Sequence, residues 1–223
     1  MFRLKADSSL VLLLFISVSS LVFASETLHS GWEKVKTEDG IDVFSKKVMN
    51  SDLIAFKGVT TFKASPEDLM RIFRDDKKWK NWIEMFEDGS FLEVSEAAGG
   101  PDGNEYVTYQ SYKMPLFISN RDLVIRSKVK KLENPLRWEI QNRSVEHPKA
   151  PETVGIRIEV RFSHWILEPL KTSAPGQMET RASLEVHSDP KGYIPSWLIN
   201  FMQKDYVIKL FNNLKKVLEE NHS

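Results

Sequence analysis

The stretch DPKGYIPSWLINFMQKDYVIKLFNNLKKVL, Asp189 to Leu218, ends in a helix with more apolar residues than one buried face requires. Pro195 suits a helix start, where the missing N–H has no partner to lose. In the second half, Val207, Leu210, Phe211, Leu214, Val217 and Leu218 keep the i, i+3, i+4, i+7 rhythm of a single stripe. Lys209, Asn212, Asn213, Lys215 and Lys216 take the other side. The first half differs. Trp197, Leu198, Ile199, Phe201 and Met202 cover well over half the circumference. A helix apolar nearly all round must be covered all round. Either loops overlap it, or it roofs an apolar cavity and meets a membrane when that cavity opens. The apolar loop MPLF, Met114 to Phe117, is a second piece that completes such a roof. Connecting segments normally run over the surface, so a buried loop of this kind needs a specific cover.

Upstream of the helix the pattern is mostly β. GIDVFSKKV and LIAFKGVTTF are short β-rich runs separated by the turn cluster MNSD. SPEDLMRIF follows, with Ser65 as cap, Pro66 in the first turn and Asp68 three residues after the cap. That is a capping box, and Leu69, Ile72 and Phe73 give the helix one apolar face. SFLEV and EYVTYQSY then flank the hairpin loop AAGGPDGN. DLVIRSKV, LRWEIQNR, the long run IRIEVRFSHWILEPL and METRASLEVHS complete the series. Short connections predict antiparallel neighbours. The predicted order is two strands, a helix, about six strands and a long closing helix, an α+β chain whose helices lie on one face of a curved antiparallel sheet. Alternation puts Ile156, Ile158, Val160 and Phe162 on one side of their strand, with Arg157, Glu159 and Arg161 on the other, and makes Thr180, Ala182, Leu184 and Val186 the inner set of theirs. The small pair Thr180 and Ala182 fits either tight packing or an unfilled interior.

The totals exclude several functions. Lys and Arg number 31 and Asp and Glu number 31, so no basic surplus points to nucleic acid. There is no cysteine, which removes disulfides, thiolate metal sites and cysteine nucleophiles. The five histidines, His29, His147, His164, His187 and His222, are scattered without ligand spacing. No nucleophile elbow, phosphate loop or dinucleotide fingerprint occurs, and no cofactor is implied. The one acid–base assortment on offer is His164 with Tyr109 or Tyr112. Asn142 and Asn221 head glycosylation sequons that matter only in a eukaryotic secretory host.

Residues 1–24 read as an export signal. Arg3 and Lys5 precede an apolar run from Leu10 to Phe23, and Val22 and Ala24 are small residues at cleavage spacing. The run is shorter than the ~20 residues that span a bilayer. An uncleaved membrane anchor is the alternative. Residues 25–223 are then expected to form one domain, exported and monomeric, periplasmic in a Gram-negative host and secreted otherwise.

ISNRDLVIR (Ile118 to Arg126), HWILEPL (His164 to Leu170) and DPKGYIPSWLIN (Asp189 to Asn200) resemble signature segments of the START domain, the StAR-related lipid-transfer family. YKMPLFISNRD and IPSWLIN are most similar to its phosphatidylcholine-transfer branch. The resemblance runs from about Gly31 to Leu218. It implies a helix-grip fold with a lipid tunnel between sheet and closing helix. It also implies a gate at Met114, Pro115, Leu116 and Phe117, and a structural pair, Arg121 and Asp122, that fastens the gate.

The branch is expected to hold choline with aromatic residues and phosphate with an arginine. Matching residue by residue puts Gln110 and Leu123 at two aromatic positions, Phe162 at a third and Trp79 at the arginine. His164 falls at a neighbouring polar contact. The arginine of sterol-binding relatives falls near Ser127. The resemblance therefore implies a lipid held mainly by its chains, against Ile125, Trp197 and Phe201 as well, with Gln110, Ser127 and His164 as polar contacts. A glycerophospholipid or another acyl lipid is the expected ligand, a sterol the alternative, and a membrane surface the transient partner. A helix-grip enzyme of the cyclase type and a ligand sensor are the competing readings.

Overall fold

The computed structural model describes residues 31–95, 105–115, 118–171 and 178–220. The predicted leader, residues 1–24, the loops at 96–104 and 172–177, Leu116 and Phe117 of the predicted gate, and the Asn221 sequon lie outside the described residues.

Ten strands form one sheet among the described residues. They are β1 (Glu33–Glu38), β2 (Ile41–Lys47), β3 (Ile54–Phe62), β4 (Phe86–Ser95), β5 (Glu105–Tyr112), β6 (Arg121–Glu133), β7 (Leu136–Ser144), β8 (Ile156–Arg157), β9 (Glu159–Leu170) and β10 (Glu179–Asp189). Their spatial order is β1-β2-β3-β10-β9-β7-β6-β5-β4, with the two-residue β8 added beside β6. Every pairing is antiparallel except β6 with β8. The sheet is open, with β1 and β4 at its edges. The strand before Ile41 was not expected: in β1, Glu33–Glu38, hardly any side chain is buried, so it carries little apolar alternation.

Helix α1 (Pro66–Phe73) starts as its sequence predicts. The Ser65 hydroxyl accepts from Asp68 N at 3.1 Å, and the Asp68 carboxylate accepts from Ser65 N at 3.1 Å. Each end of the box satisfies a donor that the first turn would leave bare. A short turn and α2 (Trp79–Trp82) then lead into β4.

Helix α3 (Ser196–Glu220) closes the chain. Its second half is bedded in the core. Val207, Leu210, Phe211, Leu214, Val217 and Leu218 are all buried, each contributing about 1.5–3 kcal/mol if fully withdrawn from water. Phe211 meets Phe62 edge-on at 5.9 Å and Trp165 at 5.5 Å. On the facing strands, Thr180 and Ala182 are fully buried, and the Thr180 hydroxyl donates to Ala64 O at 2.7 Å. The small pair therefore marks tight packing.

The first half of α3 is held differently. The Asn200 carboxamide accepts from Ile54 N at 2.9 Å and donates to Asp52 O at 3.3 Å. Gln203 Nε2 donates to Ser188 O at 2.7 Å. Side-chain amides, more than interlocking apolar groups, tie this half to the ends of β3 and β10.

Candidate functional site

Beneath the first half of α3 the sheet lines a cavity of about 270 Å³. Its wall is built strand by strand. On β6 the inward set is Arg121, Leu123, Ile125 and Ser127, and on β5 it is Tyr106, Thr108, Gln110 and Tyr112. Asn142, Ser163, Trp165 and Leu184 continue it across β7, β9 and β10. Ile199, Met202, Gln203 and Tyr206 of α3 form the roof, and Trp79, Trp82 and Ile83 come from the α2 segment. Met114, at the start of the predicted gate, touches the same space. Its N–H donates to the Asn120 carboxamide oxygen at 3.2 Å.

The polar groups in the wall are neutral, apart from Arg121 and Glu84. Tyr112 donates to Gln110 Oε1 at 2.6 Å, and Asn142 Nδ2 donates to Ser163 Oγ at 3.1 Å. Thr108 Oγ1 is buried without a hydrogen-bond partner among the described residues. Burial raises the pKa of Tyr112, and burial together with the Glu84 carboxylate pushes Tyr206 up to about 12, so both phenols stay protonated. Glu84 itself is tied to Lys209 at 3.2 Å.

Of the residues expected to contact a ligand, Trp79, Gln110, Leu123, Ile125 and Ser127 share the cavity wall. Trp79 is a wall and nothing more polar. Its indole N–H donates to Phe73 O at 3.0 Å, and its ring packs on Phe86 and Phe91.

Phe162 and His164 are corrected. His187 pairs with Phe162 while the next residue, Ser188, pairs with Val160, so Arg161 is an extra residue on β9. Such a bulge puts two successive side chains on one side and inverts the alternation beyond it. Val160, Ser163 and Trp165 face the cavity in consequence. Phe162 lies outside against His187, ring centroids 5.7 Å apart, and His164 sits on that outer face 3.8 Å from the Glu139 carboxylate. Tyr112 faces inward, so His164 and Tyr112 stand on opposite sides of the sheet. Tyr109, also outward, is 3.4 Å from Asp122. The acid–base assortment does not assemble.

Trp197 and Phe201 are also placed outside the cavity. They are 71% and 54% exposed, on the solvent side of α3, with Tyr193 exposed nearby. The inward residues of that half are Ile199, Met202, Gln203 and Tyr206, one helical stripe from Ile199 onward.

Arg121 and Asp122 do not pair with each other. Successive residues of a strand point to opposite faces. Asp122 is fully buried on the outer side, where Arg157 Nε donates to it at 2.9 Å and Val154 N at 3.1 Å. Burial pushes its pKa up, but those bonds outweigh burial and hold it below the usual carboxylate range. Arg121 points inward. It donates to the carbonyls of Ser119 and Asn120 at the end of the loop, and to those of Pro190 and Lys191 ahead of α3.

The sequence reading missed most of the polar wall. Tyr106, Thr108 and Tyr112 could have been found by stepping two residues at a time from Gln110. Asn142, which heads one of the two sequons, has its side chain in the cavity wall. Among the described residues no group of three metal-binding side chains occurs, and no helix is long and apolar enough to cross a membrane.

Human StAR-related lipid transfer protein 5 shares this fold with a TM-score of 0.72 and 21% identity, over 87% of this chain and 89% of its own. A STAR-related lipid transfer protein fragment from Xanthomonas axonopodis does so with a TM-score of 0.69 and 22% identity, over 85% of this chain and 99% of its own. In sequence, an uncharacterised protein of Pseudomonas aeruginosa is 28% identical over 198 residues, 88% of this chain and 91% of its own. The phosphatidylcholine transfer protein of Mus musculus is 24% identical over 194 residues, 86% of this chain and 85% of its own. The family model of the START domain matches residues 24–223, and the chain belongs to the START-domain family.

Proposed function

We propose that this protein holds a lipid by its apolar chain in the cavity beneath α3 and carries it between membranes, without chemistry on the cargo. The observation that carries this reading is the unequal seating of α3. Its second half is locked into the core, while its first half roofs an apolar cavity and is tied down mainly by Asn200 and Gln203. The physics of the cargo asks for such a device. Exposing a chain costs ~0.8 kcal/mol per CH₂, so about fourteen carbons amount to on the order of 10 kcal/mol. Only an enclosure can carry that chain through water, and only an apolar surround can receive it.

Tyr193, Trp197 and Phe201 supply the membrane-facing side. They are exposed on the roof element and its lead-in, and Lys204 Nζ lies 5.2 Å from the Phe201 ring centroid. Aromatic rings with a neighbouring cation suit a bilayer interface. Relatives named phosphatidylcholine transfer protein support a lipid cargo. The wall gives less support to a choline head, because Gln110 and Leu123 stand at two positions where aromatic residues are expected. The leader at residues 1–24 makes export part of the proposal, checked by finding Ser25 at the amino terminus of the mature protein.

The test is transfer of a fluorescent lipid between vesicles. Changing Trp197 and Phe201 to Asp should slow transfer by about tenfold or more, while stability moves by only about 0.5 kcal/mol per exposed site. Loss of stability with unchanged transfer would show an ordinary core helix instead. Gln110→Leu, with bound lipid weighed by native mass spectrometry, tests the polar contact: an unchanged lipid profile would remove Gln110 from the site.

A further inference from the structure

Arg121 is a buried cation that faces the cavity without an anion. It is 2% exposed and its side chain is part of the cavity wall. Nε donates to Pro190 O at 2.8 Å, Nη2 to Lys191 O at 3.1 Å, and Nη1 to the carbonyls of Ser119 and Asn120. These four acceptors are all neutral, and a guanidinium has five N–H groups. The nearby carboxylates are committed elsewhere. Asp122 faces the other side of the sheet and is held by Arg157. Asp189 serves Lys191 and Arg161. Among the described residues Arg121 forms no ion pair. Burial lowers its pKa, with no neighbouring anion to offset that effect.

A charge removed from water keeps an unmet solvation demand that neutral dipoles satisfy only in part. An anionic oxygen satisfies it better, through a charge-assisted bond. The space beside Nη2 is bordered by the backbone of Gly192 and by the Ile156 side chain, whose Cδ1 would lie 2.8 Å from a Cβ on that glycine. Gly192 sits there at φ +79°, and a Cβ on it would come 3.2 Å from Nη2. Beyond Arg121 the inward face of β6 continues as Leu123 and Ile125, an apolar track leading away from a single positive group.

We propose that Arg121 is the head-group site for an anionic amphiphile, which presents a carboxylate or phosphate oxygen to Nη2 and lays its chain along Leu123 and Ile125. This rests on the reading of the cavity as a lipid site and adds the charge of the guest. The cavity, about 270 Å³, is just below the ~300–1,000 Å³ of ordinary small-molecule sites. That suits one chain.

The test uses three probes with the same tail: tetradecanoic acid, tetradecyl phosphate and tetradecanol. Each competes with an environment-sensitive apolar fluorophore on the mature protein at about pH 8. The expected result is that an anionic probe competes about tenfold or more tightly than the alcohol. Preference for the acid points to a free carboxylate ligand, and preference for the phosphate to a phospholipid. Arg121→Gln should erase the difference between the anionic probes and tetradecanol. Because that variant also loses carbonyl bonds, the wild-type protein supplies a second readout. Lowering the pH toward about 4 should weaken tetradecanoic acid as it protonates and spare tetradecyl phosphate, which keeps a charge. Equal competition by all three probes would overturn the head-group site and leave the cavity reading standing. If no probe displaces the fluorophore, the cavity reading itself fails.

Discussion

A Cβ built on Gly58 would lie 2.3 Å from Val207 Cγ1, so α3 rests directly on the backbone of β3. Phe211 Cε2 is the next atom at 2.8 Å. No side chain fits between helix and strand here. Gly58→Ala should therefore destabilise the protein by about 1–3 kcal/mol, the usual cost of overpacking a filled core. Alanine's preference over glycine in the unfolded chain acts in the other direction and is smaller. Urea unfolding measures it. Combining Gly58→Ala with Val207→Ala should cost less than the sum of the two single changes, because one methyl replaces another. Strict additivity would mean that the two residues do not share this contact.

Asp122 gives the acid limb of stability. Its folded pKa is depressed below the unfolded value of about 3.9. A depressed carboxyl contributes stability that is full above the unfolded pKa and is lost as pH falls through the folded one. The contribution should fade below about pH 4. Asp122→Ala leaves Arg157, Thr153 and Val154 N without their acceptor. Breaking a buried pair costs roughly 3–5 kcal/mol, and the low end applies because Arg157 is about one-third exposed. Asp122→Asn should flatten the pH dependence below about 4. An acid limb as steep in Asp122→Asn as in the parent would assign it to other carboxylates.

His187 acts in a separate window. It is almost fully buried, with Nε2 3.3 Å from Ser51 Oγ. Burial lowers its pKa first and the Arg161 charge lowers it further, against the opposing pull of Leu53, Asp189 and Glu159. The neutral ring is the folded form. Its contribution is full above the unfolded pKa of about 6.5 and is lost as pH falls below that value toward the folded pKa. Unfolding curves just above and below about pH 6.5 should separate for the parent and converge for His187→Gln. Equal separation in both proteins would clear His187 of the effect.

Elements were legible in the sequence where a local period runs unbroken. The Ser65–Asp68 box fixed the start of α1, and the stripe from Val207 to Leu218 fixed the buried side of α3. The first half of α3 carries no single stripe because it has two different apolar duties. Ile199 and Met202 face the cavity, whereas Trp197 and Phe201 face outward. Periodicity registers how much of a helix is apolar but not which neighbour each side meets. Strand β9 failed for another reason. Alternation from Ile156 is correct as far as Val160, and then Arg161 adds one residue. A bulge is a property of two strands together, and neither strand announces it alone.

That phase change makes the last prediction. If Arg161 is the extra residue, Phe162 is outside and Ser163 is inside, although the sequence pattern says the reverse. Phe162→Ala should leave binding of an apolar fluorophore unchanged within about twofold, its cost confined to the lost contact with His187. Ser163→Phe should place a ring in a cavity of about 270 Å³ beside Trp165 and Asn142. Binding should fall by about tenfold or more, since the added side chain takes space that the guest needs. Far-UV circular dichroism of both variants separates lost binding from lost fold. Should Phe162→Ala abolish binding while Ser163→Phe is tolerated, the inward face of β9 would be the unbulged one, with Phe162 and His164 in the wall.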